Sequence, residues 1–209
     1  MATVKSSAEE YVLVLPAASL WRIGYFQGLS LDRKKFAELM SMLGEAEFRR
    51  RADAETDPAY KQIIPYVILA HHADVFSYRR GKLLNEARLL GSYSIGVGGH
   101  ISISDSSLFH LPYIEAMRRE IAEEVEISCD HGDRIVGLIN DDTNDVGKVH
   151  LGIVHLFNLQ QPQVKAKEKS INEAQFCSID KLLKDREKYE NWSQICIGNI
   201  KEIIAAGTE

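Results

Sequence analysis

Three glutamates crowd the stretch "RREIAEEVEI" at Glu120, Glu123 and Glu124. On a helix they share an arc of about 100°. Carboxylates that close repel one another unless something offsets them. One reading is a solvated face with Arg118 and Arg119 nearby, where like-charge pairs cost only tenths of a kcal/mol. The other is a shared divalent cation. Hard ions such as Mg²⁺ take oxygen ligands, keep several waters and bridge carboxylates to phosphate. Upstream, Gly96, Gly98 and Gly99 permit tight turns and close backbone approach. Alone, such a cluster reads as a bulged strand.

Other residues with chemical potential are more scattered. Arg79 and Arg80 end an expected strand, and arginine forks match phosphate geometry. Arg49 to Arg51 offer the same groups, and a solvated face is the plain alternative for both clusters. His100 adjoins Gly99, where it could touch phosphate. His71 and His72 face opposite sides of a strand, as do His150 and His155, so neither pair has convergent ligand spacing. Asp141, Asp142 and Asp145 lack the glycine and final glutamate of an EF-hand and read as a hairpin turn. No Ser-His-Asp order, G-x-S-x-G or Walker loop occurs.

These residues need elements to hold them. "YVLVLP" reads as a short strand ended by Pro16. Ser30 is expected to cap a helix bearing Phe36, Leu39, Met40 and Leu43, with Gly44 near its end. The polar "RRRADAETDP" places a boundary near Pro58. Beyond it, "QIIPYVILAHH" and "VFSYRR" form an expected hairpin. "GSYSIGVGGHISI" reads as one further strand. A helix is expected from about Pro112 to Glu126, with Ile114, Met117, Ile121 and Val125 as its apolar stripe. "DRIVGLIN" and "VGKVHLGIVHLFNL" bracket the turn "DDTND". "EAQFCSI" is a strand, and "IDKLLKDRE" and "WSQICIGNIKEII" are closing helices. The pattern predicts an α+β or mixed-sheet α/β sandwich.

The bulk numbers bound this reading. A chain of 209 residues, 45% hydrophobic, is ample for a core. A net charge of -5 argues against general nucleic-acid or anionic-membrane binding. Cys129, Cys177 and Cys196 are odd in number and widely spaced, which predicts reduced thiols. No run approaches the ~18 apolar residues of a membrane span, so a cytoplasmic protein is expected.

Gly99 and "EAMRREIAEEVEI" together resemble the motif of Nudix hydrolases, G-x5-E-x7-R-E-U-x-E-E-x-G-U. Five residues separate Gly99 from Asp105, which stands where the family has glutamate. Thirteen then precede Arg119, so the loop is six longer than the family's seven. Glu126 replaces the motif glycine. Glu115, one turn before Arg119, could pair with it in place of Asp105. The resemblance covers about Lys61 to the C-terminus.

It implies a Nudix-like α/β/α sandwich with a mixed β-sheet over residues 58–209. Residues 1–57, which lie outside the resemblance, are expected to be an N-terminal strand–helix extension whose apolar helix face serves packing or homodimer formation. The resemblance also implies a Mg²⁺ or Mn²⁺ site formed by the Gly99 carbonyl, Glu120, Glu123 and Glu124, with Arg119 orienting the acids and Glu120 one candidate base. Arg79, Arg80 and His100 would contact substrate, and Asp105 would serve as the motif acid. The implied activity is a pyrophosphohydrolase acting on a small-molecule diphosphate, such as a nucleoside diphosphate linked to another moiety. A Nudix-fold ligand-binding or regulatory module without turnover is the alternative. An interaction protein with a merely solvated acidic helix is a third. The loop 106–113 would face substrate or a second subunit, or be an inert insertion.

Overall fold

The computed structural model describes residues 10–81, 91–106, 111–169 and 171–208. The strands are β1 (Tyr11–Pro16), β2 (Gly28–Ser30), β3 (Glu47–Arg50), β4 (Tyr60–His71), β5 (Asp74–Arg80), β6 (Tyr93–Ser94), β7 (Gly96–Val97), β8 (Val125–Ile127), β9 (His131–Asn140), β10 (His150–Leu159), β11 (Val164–Ala166) and β12 (Ile171–Ser178). The helices are α1 (Ser19–Arg22), α2 (Arg33–Met42), α3 (Arg51–Ala54), α4 (Pro112–Glu124), α5 (Asp145–Lys148), α6 (Ile179–Lys184), α7 (Asn191–Ile197) and α8 (Ile200–Thr208). Among the described residues the main sheet runs β12-β5-β4-β10-β9-β2, with β1 and β7 on β4, β3 on β1 and β6 on β5. Strands β8 and β11 form a separate pair. The expected α/β architecture is the one observed. The expected loop 106–113 falls largely on residues 107–110, which lie outside the described residues.

The chain divides into two compact units. The first comprises the residues up to Pro65 with Gly99–Arg118 and Gly137–Ile153. The second comprises Tyr66–Gly98, Arg119–Val136 and the chain from Val154 onward.

In the first unit, β1 buries Val12 through Leu15 and lies antiparallel to β3 and β4, with Leu13 opposite Phe48 and Val14 opposite Gln62. Such a continuous apolar run suits a strand covered on both faces. Strand β2 pairs with β9 through Leu29 and Ile139. The segment before residue 58 thus supplies strands of the main sheet. Three local expectations are corrected. Ser30 lies in β2, and Asp32 caps α2 by accepting from the Lys34 N–H at 2.9 Å. Helix α2 ends at Met42, and Gly44 belongs to a following 3₁₀ turn. The "DDTND" turn leads into α5 instead of directly into a strand, because Asn144 Oδ1 accepts from Gly147 N–H at 2.9 Å and caps a helical turn.

In the second unit, β4 pairs with β5 through Ala70 and Val75, and with β7 through Val67 and Val97. Phe76 meets Tyr78 and, edge-on across β12, Phe176. The single strand expected around Ile95 is two short ones. The Ile95 N–H leaves the ladder and donates to Ser193 Oγ at 2.9 Å. Gly96 is required there, since a Cβ would stand 2.0 Å from the Tyr66 ring. The closing helix expected as one element is α7 and α8, broken at Gly198 and Asn199. Among the described residues no helix is long and apolar enough to cross a membrane.

Candidate functional site

Helix α4 ends at Glu124, two residues before the expected boundary. The cause is a competing ladder: Val125, Glu126 and Ile127 pair with Ala166, Lys165 and Val164. Its phase is partly as expected: Met117 and Val125 of the expected stripe are buried, whereas Ile114 and Ile121 are only half-buried and Tyr113 and Ala116 are buried instead. At about 100° per residue, Glu120 and Glu124 continue the Tyr113–Met117 stripe. Both acids therefore lie on the inward side, with the Glu120 side chain only 16% exposed, while Glu123 is 60% exposed.

Arg119 organises two of the three acids. Its Nη1 donates to Glu120 at 2.7 Å and to Glu123 at 3.4 Å. Glu115 accepts from Arg118 at 3.3 Å. Glu124 is in a different state. Burial pushes its carboxyl up to about 8, the carboxylates of Glu120, Glu168 and Glu123 add to the rise, and Arg80 opposes it. Glu168 is a fourth acid that the motif does not contain. Its position follows from the β8–β11 register: Ala166 faces Val125, so the next residues meet the helix end. The N–H groups of Lys167 and Glu168 donate to the Glu124 carbonyl at 2.9 and 3.3 Å, and Lys167 Nζ donates to the Ala122 carbonyl. These bonds satisfy carbonyls that a helix C-terminus leaves open.

Arg79 and Arg80 are adjacent but unlike. Arg79 is exposed and committed, donating to Glu173 at 2.9 Å and to the Gly91 carbonyl at 3.1 Å. Arg80 is half-buried, lies 5.8 Å from the Tyr78 ring centroid, and has a buried Nε with no hydrogen-bond partner. Tyr78, then Glu190 and Glu124, hold its guanidinium firmly protonated against the cost of burial. The Tyr78 hydroxyl donates to the Gly96 carbonyl at 2.8 Å, and Ser94 Oγ donates to the same oxygen at 3.1 Å. Two hydroxyls thus fix the strand that enters the glycine turn.

The remaining expected residues sit in the first unit. Gly99 follows β7 in irregular backbone. Asp105 is 7% exposed, and its carboxylate accepts the Ser102 N–H at 2.7 Å in a capping box. The His100 ring meets that of His150. Among the described residues no three His, Cys, Asp or Glu side chains converge as a ready-made metal group. The donor chemistry still suits a hard cation: Glu120, Glu123 and Glu124 offer only oxygen, and their mutual repulsion, visible at Glu124, is what a cation relieves.

The α/β fold and the helix carrying Arg119-Glu120 and Glu123-Glu124 are those of a Nudix-type protein, as the motif resemblance implied. No family model matches the chain. Over 199 residues it is 36% identical to protein YmaB of Bacillus subtilis (strain 168), covering 90% of this chain and 96% of that one. The structure of Tm1382, classed among the Nudix hydrolases, matches with a TM-score of 0.76 at 30% identity, over 91% of this chain and 98% of that chain. The Nudix domain of Shewanella oneidensis NrtR, solved with ADP ribose, matches with a TM-score of 0.52 at 11% identity, over 69% and 88% of the two chains, a likeness of fold. The chain belongs to the Nudix hydrolase family.

Proposed function

We propose that this protein is a metal-dependent pyrophosphohydrolase that cleaves a diphosphate linkage, as in a nucleoside diphosphate joined to another moiety, by attack of water on phosphorus. The observation that carries the reading is Glu124, a carboxyl raised to about 8 among three other acids, with one arginine opposing. Such surplus negative potential is poised for a cation. Glu120, Glu123 and Glu124 would hold Mg²⁺ or Mn²⁺, which when bound neutralises phosphate oxygens and makes a water more acidic. Arg119 would keep Glu120 and Glu123 aligned through the bonds it donates to both. Glu120, mostly enclosed, is placed to accept a proton. Arg80, with an unused buried donor, is suited to an oxyanion, whereas Arg79 is spent on Glu173.

The test is phosphate release from a panel of diphosphate compounds. ADP-ribose, the ligand of the NrtR domain, comes first. Activity should vanish with chelator and return with Mg²⁺ or Mn²⁺. Full activity in metal-free buffer would sink the mechanism. The lengthened loop before Arg119, thirteen residues where the family has seven, favours one second reading, a ligand-binding module. Tight binding of such a compound without turnover, under metal, would establish it.

A further inference from the structure

His100 and His150 are far apart in sequence, and the first unit brings their rings together. Nε2 of one lies 3.3 Å from Nε2 of the other, with the rings inclined at 60°. The protonation of His150 is set by its other nitrogen. Nδ1 lies 2.7 Å from the Val146 carbonyl, and a carbonyl can only accept, so Nδ1 carries the proton. In its neutral form His150 therefore presents its Nε2 lone pair towards His100. Histidine metal ligands use this arrangement: the ring N–H away from the metal is donated to a carbonyl or carboxylate, which fixes tautomer and orientation.

Without an ion the contact is an Nε2–H···Nε2 hydrogen bond, and its spacing is one that a shared ion can take over. Two nitrogens bound about 2.0–2.1 Å from one tetrahedral ion stand about 3.3–3.4 Å apart. The carbonyl that sets the tautomer is itself pinned. The Gly147 N–H is held by Asn144, and the Gly147 carbonyl accepts from Lys61 Nζ at 2.8 Å. No side chain fits at Gly147, where a Cβ would stand 1.7 Å from the Asp141 carbonyl oxygen. The turn carrying Val146 cannot shift without breaking these contacts.

We propose that His100 and His150 form a two-imidazole site for a divalent transition ion such as Zn²⁺ or Cu²⁺, using none of the α4 carboxylates as ligands. Imidazole selects these ions over Mg²⁺. Both rings are half-buried, so an ion can enter and keep water. No third His, Cys, Asp or Glu joins the pair among the described residues. Two imidazoles bind an ion more weakly than a closed four-ligand site.

The experiment uses the full chain with excess Mg²⁺ to saturate the carboxylates. One equivalent of Cu²⁺ should give an electron paramagnetic resonance spectrum with hyperfine structure from two imidazole nitrogens, and calorimetry should show about one Zn²⁺ bound. His100→Asn and His150→Asn should each remove one nitrogen and weaken binding at least ~10-fold. If one variant fails to fold, the other decides. Asn144→Ala, which loosens the turn, should weaken binding with both nitrogens retained. Replacing His71 and His72 together should change nothing. The same spectrum is expected in Glu124→Gln protein, so failure of the hydrolase reading leaves this site standing, and the reverse. A signal unchanged in both histidine variants, one lost in Glu124→Gln, or no binding at all overturns the proposal.

Discussion

Each unit buries a charged network, and the two are finished differently. In the first, Lys61 is nearly enclosed and donates to Asp142 at 2.5 Å as well as to Gly147. Burial draws the ammonium below its usual range, against the pull of Asp142. The Asp142 carboxyl, which burial alone would raise, is held below its usual range by hydrogen bonds from Lys61, Tyr25 and Asn140. Asp141 accepts from Gln27, Thr143 and Asn144. In the second unit, four acids meet two arginines: Arg119 is shared by Glu120 and Glu123, and Arg80, which opposes the rise at Glu124, keeps a buried donor unused. Matched charge fixes a loop and asks for no partner. Unmatched charge costs stability, and a protein retains it where a ligand relieves it.

Breaking the first network should have the largest effect. Lys61→Met keeps the length of the stem but removes the cation and leaves Asp142 half-buried. The expected loss is about 3 kcal/mol in chemical denaturation, the low end for breaking a buried pair. Turnover per folded molecule should not change. An unaltered denaturation midpoint would mean that the pair is idle.

Glu124→Gln should do the reverse. Shape is kept and, on the proposed mechanism, a hard anionic ligand is lost, so turnover should fall at least ~100-fold, about 2.7 kcal/mol of transition-state stabilisation. The melting temperature should hold or rise. Glu126→Gln is the control, since Glu126 is exposed on β8 opposite Lys165. It should change turnover a few-fold. Equal small effects would return the acids to a solvated face.

The same carboxyl gives a smaller, pH-dependent difference. Between the ordinary value of 4.5 and about 8, the metal-free native state holds a proton that the unfolded chain has released. Stability should therefore fall as pH rises through that window. Glu124→Gln should flatten the fall, whereas Lys61→Met should leave it. Mg²⁺ should raise the melting temperature more above pH 8 than near pH 6, because below 8 it competes with the proton. A Mg²⁺ effect independent of pH would place the ion elsewhere.

Much of this contrast was hidden in the sequence. The motif helix was legible because "REIAEE" is local. Its phase was legible only in part. An amphipathic reading turns charges outward, so it chose Ile114 and Ile121, while the fold turns Glu120 and Glu124 inward. Glu168 depends on the β8–β11 register, the Tyr78 bond to Gly96 on side-chain packing, and the meeting of His100 with His150 on the first unit as a whole. Each joins residues far apart in the chain. The turn at Asp141 was visible from composition, but not the lysine buried against its neighbour.

The smallest effect is expected one residue from the largest. Gln62 follows Lys61 on β4 and points to the opposite face. It is fully buried, and neither its Nε2 nor its Oε1 has a hydrogen-bond partner. Its backbone is well held, with the N–H donating to the Val149 carbonyl at 2.7 Å. A buried amide without partners costs about 1–3 kcal/mol, and removing it in favour of an apolar group of similar shape is neutral or stabilising. Gln62→Met should thus leave the denaturation midpoint unchanged or raise it by up to about 1 kcal/mol in stability, with flexible Met filling the site. Lys61→Met and Gln62→Met place the same side chain at neighbouring positions of one strand. If both lose stability equally, the amide has a partner after all, and the difference between a satisfied charge and an orphaned amide is not what sets stability along β4.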